Sequence, residues 1–134
     1  MKALIVDDHA AMRRLLGSCF PDGWDCTECA DGAAAVRAYP ALQPDCVLLD
    51  VEMPVMDGFT AAARLRELDP AAWIIFVSQH AGAGFREMAA RLGARGFVPK
   101  QQLDQLAAAL PAEAGHPESS VPGAPHFPPP PQLS

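Results

Sequence analysis

The chain has 134 residues and a mass of 14.2 kDa, with half its residues hydrophobic and 19% charged, enough apolar side chain to fill one core and enough charge to cover it. Ten Lys and Arg against sixteen Asp and Glu leave a net charge of −6, which argues against direct contact with nucleic acid, because nucleic-acid-binding domains cluster basic residues. No apolar run reaches the ~18 residues of a membrane span. Met1-Lys2-Ala3 leads straight into Leu4-Ile5-Val6 and two acids, too short a lead for a secretory signal, so the expected compartment is the cytoplasm.

Ala3-Leu4-Ile5-Val6 is a nearly continuous apolar run, which suits a strand covered on both faces of a parallel sheet. Met12, Leu15, Leu16 and Cys19 follow at helical spacing as one apolar stripe. Trp24 to Cys29 is a weaker strand candidate, and Val36 with Tyr39 marks a second helix. Cys46-Val47-Leu48-Leu49 reads as the third strand, and Asp57-Gly58 opens a third helix bearing Phe59, Ala62 and Leu65. Ile74-Ile75-Phe76-Val77 is the fourth strand; Phe85, Met88, Ala89 and Leu92 form a fourth helix that Gly93 closes. Gly96-Phe97-Val98 is a weaker fifth strand, followed by a helix with Leu103, Leu106 and Leu110. The alternation predicts an α/β fold, (βα)5, in which right-handed crossovers place helices on both faces of a doubly wound parallel sheet.

Eight of the 14 prolines fall in residues 111–134, whose large apolar residues are only Val121, Phe127 and Leu133. Such a stretch cannot bury enough surface to offset its ordering entropy. The domain is therefore expected to span 1–110, and 111–134 to be a disordered Pro-rich tail with polyproline II character. Phe127-Pro-Pro-Pro-Pro131 has the composition that aromatic grooves accept, although a plain disordered end is the simpler reading. Cys26-Thr-Glu-Cys29 has the spacing of a metal or redox pair, but in a strand an offset of three points the two side chains to opposite faces. All four cysteines are read as structural thiols in a reducing compartment.

Ligands of open parallel sheets sit at the carboxyl ends of the strands. Those ends carry Asp7 and Asp8 after the first strand, Asp50 after the third, Ser78 after the fourth and Lys100 just past the fifth. Each alone would pass as a cap, a turn residue or a surface cation. Together, three carboxylates repel unless a cation sits among them, and oxygen ligands with room for waters and a phosphate suit Mg2+. One carboxylate can then act as a nucleophile toward phosphorus, with Lys100 and the Ser78 hydroxyl binding the phosphoryl oxygens.

The same residues carry a resemblance. Asp7-Asp8, the segment Val47-Leu-Leu-Asp50-Val-Glu52-Met-Pro-Val-Met-Asp57-Gly58, Ser78, and Gly93-Ala-Arg-Gly-Phe97-Val-Pro-Lys100 resemble the receiver domain of two-component response regulators, in order and spacing over residues 1 to about 110. The Gly-Phe-Val-Pro-Lys ending is similar to receivers that carry a LuxR-type DNA-binding domain. The resemblance implies a flavodoxin-like fold with strand order 2-1-3-4-5. It implies Asp50 as the phosphoacceptor, Asp8 as a direct Mg2+ ligand, Asp7 as a ligand through water, and the Glu52 backbone carbonyl in the metal shell. Ser78 matches the switch hydroxyl, Lys100 the phosphate-binding lysine, and Phe97 the aromatic that follows activation. The implied partners are a histidine kinase or histidine phosphotransfer protein and a downstream target on the face of the fourth helix, fifth strand and fifth helix; a homodimer formed on phosphorylation is left open.

Two rival readings belong to other classes. A receiver-like module could bind its partner without phosphorylation, and a Mg2+-dependent aspartyl phosphohydrolase would also place Asp at a strand end, although it normally needs an Asp two residues on, where Glu52 stands. Glu52 and His80 lie at positions that tune phosphate lifetime in the family. Gln79 follows Ser78 where the family usually has a small residue, which predicts narrowed phosphoryl access. Gln79→Ala is expected to speed phosphorylation by a small-molecule phosphodonor; an unchanged rate in a stopped time course would remove the crowding effect.

Overall fold

A computed structural model describes residues 1–112. The elements are β1 (Lys2–Val6), α1 (Ala10–Ser18), β2 (Asp25–Cys29), α2 (Gly32–Leu42), β3 (Cys46–Asp50), α3 (Gly58–Leu68), β4 (Ile74–Ser78), α4 (Ala83–Arg91), β5 (Gly96–Pro99), a 3-10 segment (Lys100–Gln105) and α5 (Leu106–Ala109). All strands pair in parallel, in the order β2-β1-β3-β4-β5, the flavodoxin-like arrangement expected. From residue 113 on, the expected Pro-rich tail, including Phe127-Pro131, lies outside the described residues.

The continuous apolar runs follow from a sheet that is covered twice. Leu4, Val6, Val47, Leu49, Ile74, Phe76 and Phe97 pack with Ala35 and Tyr39 of α2, Ala61, Ala62 and Leu65 of α3, and Ala89 of α4. On the opposite face Ile5, Leu48, Ile75, Val77 and Val98 meet Leu16 of α1 and Leu106 and Ala109 of α5. Because neighbouring residues of a strand point to opposite faces, a strand buried on both is apolar in succession, as residues 3–6 of β1, 46–49 of β3 and 74–77 of β4 are, with polar residues only at Lys2, Asp50 and Ser78 at their ends.

Strand β2 departs from this pattern. Asp25 to Glu28 are exposed and Cys29 is half-buried, since the strand pairs only with β1 at the sheet edge. Trp24 lies just before it and packs on Phe20 at 5.0 Å between ring centroids. The cysteines are all free. Cys26 pairs across from Ala3 and Cys29 from Val6, three positions apart and so on opposite faces. Cys46 is fully buried in β3, and burial pushes its thiol far above the ordinary range.

The last helix is shorter than the Leu103, Leu106, Leu110 stripe suggests. Lys100–Gln105 turn as 3-10 helix, with Gln102 out of helical geometry (φ −132°, ψ 47°), and only Leu106–Ala109 are α-helical. Lys100 must point its ammonium back toward the sheet edge, and no side chain caps the helix at Gln105, so nothing favours an earlier α-turn. The far end is held by Trp73, whose Nε1–H donates to the Ala109 carbonyl at 2.9 Å.

Two of the helices that start at the carboxyl edge of the sheet, α2 and α3, begin with carboxylate caps. Asp31 Oδ1 accepts from the Ala34 N–H at 2.7 Å and Asp57 Oδ1 from the Thr60 N–H at 2.8 Å, each satisfying a donor that the first turn leaves open. Gly58 begins α3 where a Cβ would strike the Asp50 carbonyl and the Val51 Cα. Gly84 in α4 faces open space. Gly58→Ala is therefore expected to cost about 1–3 kcal/mol through overpacking against the β3 backbone, whereas Gly84→Ala is expected to stabilise by up to about 1 kcal/mol. Urea denaturation of both variants checks the contrast.

Candidate functional site

The carboxyl ends of β1, β3, β4 and β5 lie side by side, and the polar residues that terminate them meet there. Asp7 follows β1 with its N–H bonded to the Cys29 carbonyl at 3.2 Å, and it is fully buried. Asp50 closes β3 at 3% exposure, and Ser78 closes β4 with none. Pro99 ends β5, so the next residue, Lys100, enters from that side with its side chain 8% exposed. Its Nζ stands 3.1 Å from Asp7 Oδ2 and 3.3 Å from Asp50 Oδ1. One cation thus joins two carboxylates from β1 and β3.

Burial sets the electrostatics. It drives the Asp50 carboxyl up from 3.8 to about 6, and the Asp7 charge adds to this while Lys100 opposes it. For Lys100 burial favours loss of the proton, but its bonds to Asp7 and Asp50 outweigh burial and hold the ammonium above its ordinary value. Asp8, with its side chain 26% exposed, adds a third carboxylate. Its Oδ1 is cut off from solvent and accepts no hydrogen bond. Three acids against one lysine, with a shielded carboxylate oxygen that accepts no hydrogen bond, fit a divalent cation. Among the described residues, Asp7, Asp8 and His9 bring ligand atoms within 4.8 Å of one another, and Asp50 joins this edge through the Lys100 ammonium that it shares with Asp7.

The remaining expected residues surround this centre. The Ser78 Oγ accepts the His80 N–H at 3.0 Å and makes no direct bond to Asp50. Phe97 is fully buried in β5, opposite Phe76 of β4, with the Arg86 guanidinium 5.4 Å from its ring centroid. The Glu52 backbone lowers the Asp50 value in part against burial, and the Glu52 side chain reaches across to His80, Oε2 to Nε2 at 3.1 Å. Gln79 is exposed.

Two residues at this edge had no assigned part in the sequence reading. Arg13 of α1 donates from Nη1 to the Asp7 carbonyl at 2.7 Å and from Nε to Glu28 Oε1 at 2.8 Å, which ties the loop after β1 to both α1 and β2. His9 donates its backbone N–H to Asp7 Oδ1 at 2.8 Å and brings its imidazole beside both acids. The run Asp7-Asp8-His9 was visible as three consecutive metal-ligating residue types; the Arg13 contact was not, because Glu28 is 15 residues away in sequence.

Residues 3–111 match the family described as the response regulator receiver domain. The chemotaxis protein CheY of Listeria monocytogenes is 36% identical over 113 residues, covering 82% of this chain and 95% of that protein. Among solved structures, a two-component response regulator of the LuxR family from Aurantimonas superposes with a TM-score of 0.70 at 30% identity, over 90% of this chain and 94% of that one. CheY from a CheX-CheY-BeF3-Mg2+ complex of Borrelia burgdorferi gives 0.71 at 27% identity, over 81% and 85%.

The raised Asp50 value carries a sign. The folded state holds the Asp50 proton more tightly than the unfolded chain, so the contribution of Asp50 to metal-free stability is full below about pH 4 and is lost as pH rises through about 6. Asp50→Asn removes that loss. In EDTA the variant is expected to be more stable than wild type by about 1 kcal/mol above pH 6, less than the roughly 3 kcal/mol that a shift of about two units would give at ~1.4 kcal/mol each, because Lys100 also loses a charged partner. The difference should close toward pH 4, as measured by thermal melts across that range.

Proposed function

The chain belongs to the response regulator receiver domain family, and from that premise we propose that it accepts a phosphoryl group on Asp50 from a histidine kinase or histidine phosphotransfer protein. The single observation that carries this reading is the Lys100 ammonium set between Asp7 and Asp50 at the carboxyl edge of the sheet. A lysine so placed is positioned to receive phosphoryl oxygens once they join Asp50.

At neutral pH the Asp50 carboxyl, with a value near 6, is mostly ionised and can attack phosphorus. The bond from phosphorus to the donor's imidazole nitrogen breaks, and the histidine leaves neutral after taking a proton. Lys100 offsets the charge on the transferred group. Mg2+ would be held by Asp8 and Asp50 directly, by Asp7 through water and by the Glu52 carbonyl, and when bound it neutralises phosphoryl oxygens. The Mg2+ and BeF3 bound to the Borrelia protein support this assignment.

Phosphorylation adds nearly two negative charges, and Ser78 is the hydroxyl best placed to follow them. To do so its Oγ must leave the His80 N–H, and His80 in turn stacks on Phe85 of α4, with ring centroids 5.7 Å apart and planes 17° apart. Phe97 and Arg86 join β5 to the same helix. The downstream target is therefore assigned to the α4, β5 and α5 face, through a two-state shift of those elements. Residues 1–110 are read as the signalling unit, with 111–134 attached as a separate tail.

The deciding experiment is a phosphotransfer profile against candidate histidine kinases. Wild type is expected to take label and Asp50→Ala to take none; label that survives the substitution would overturn the assignment. Lys100→Ala is expected to slow transfer by about 10²-fold, the effect of removing one preorganised charge donor.

A further inference from the structure

Because the site reads as a Mg2+ centre built from oxygen ligands, the imidazole beside it stands out. His9 Nδ1 lies 3.1 Å from Asp8 Oδ1 and 3.5 Å from Asp7 Oδ1. The ligand atoms of Asp7, Asp8 and His9 all fall within 4.8 Å of one another. Two donors bound side by side at ~2.0–2.2 Å from one ion stand roughly 3.0–3.5 Å apart, the spacing found here. The short approach to Asp8 is also not a hydrogen bond, since Asp8 Oδ1 is shielded from solvent and accepts none.

The backbone presets the imidazole. His9 donates its N–H to Asp7 Oδ1, and its carbonyl accepts the Arg13 N–H at 3.0 Å. Arg13 at the same time grips the Asp7 carbonyl. The residue is fixed by its main chain while its side chain, 73% exposed, remains free to be completed by an ion and waters. Asp7 is fully buried and Lys100 binds its Oδ2, so Oδ1 is the oxygen turned toward His9.

We infer that His9 supplies a nitrogen ligand to this centre, so that Asp7, Asp8 and His9 take a first-row transition dication more tightly than Mg2+. The inference rests on the proposed cation site but changes its selectivity. Mg2+ prefers oxygen and sheds water reluctantly, and gains little from an imidazole. Fe2+, Ni2+, Cu2+ and Zn2+ accept imidazole readily, and Mn2+, although nearer Mg2+ in its taste for oxygen, lies on the same affinity series and binds an imidazole that the site already presents.

Mn2+ is the probe, because its electron spin reports a directly bound nitrogen. With the full chain, pulsed electron paramagnetic resonance is expected to show 14N coupling in wild type and none in His9→Ala. By calorimetry His9→Ala is expected to weaken Mn2+ by about tenfold or more while leaving Mg2+ within about twofold. Mn2+ bound without nitrogen coupling, or equal losses for both ions, would overturn the inference and leave His9 as a mere neighbour of the acids. Phosphorylation of Asp50 in Mg2+ is scored separately: its absence, with the nitrogen coupling intact, would defeat the phosphoacceptor reading and spare this one.

Discussion

The ammonium of Lys100 between the carboxylates of Asp7 and Asp50 is the constraint on which the rest of the edge depends. Withdrawing an ion from water costs several kcal/mol, and three ionisable side chains are withdrawn together here. The geometry that offsets this cost requires β1 and β3 to be adjacent, so that Asp7 and Asp50 stand at neighbouring strand ends, and requires β5 to deliver Lys100 from the same edge. Parallel strands satisfy both conditions at once, because all of their carboxyl ends face one way. The 3-10 geometry after Pro99 belongs to the same constraint, as the chain turns tightly enough to aim Lys100 inward before α5 can begin.

The legibility of the fold follows burial. The strands covered on both faces, β1, β3 and β4, are continuous apolar runs and stand out in the sequence. The edge strand β2 has one neighbour and exposed side chains, so its residues are chosen for water as much as for a core. The α5 region misleads because Leu103, Leu106 and Leu110 keep helical spacing although an interaction 50 residues away, Lys100 with Asp50, dictates the turn. At the site, Asp7, Asp8, Asp50, Ser78 and Lys100 were legible because each terminates or follows a strand, and strand ends converge whatever the loops do. Contacts between loops were not legible. Glu52 with His80 joins the β3–α3 and β4–α4 connections, and no local pattern encodes a pairing between separate loops.

Those loop contacts give the site a route outward. His80 holds Ser78 by its backbone, Glu52 by its imidazole edge and Phe85 by its imidazole face. Phe85 continues to Phe59 at 6.1 Å, and Phe59 to Phe76 at 5.1 Å between ring centroids. Phe76 pairs in turn with Phe97 across β4 and β5. Packed aromatic groups shift between discrete arrangements rather than deform gradually, so a displacement of Ser78 by one hydrogen bond has a connected path to α4 and β5.

The net charge of −6 takes on a different meaning once located. Asp7, Asp8 and Asp50 are concentrated at one edge with a single lysine among them, so their excess charge is local and is of the kind a cation would relieve. Arg13 does not relieve it, because its guanidinium is already spent on Glu28 and on the Asp7 carbonyl. Its contribution is to hold the Asp7-Asp8-His9 loop rigid without neutralising it. A loop that is fixed but left with more negative charge than Lys100 offsets is preorganised for an ion, since little chain entropy must be overcome when the ion arrives.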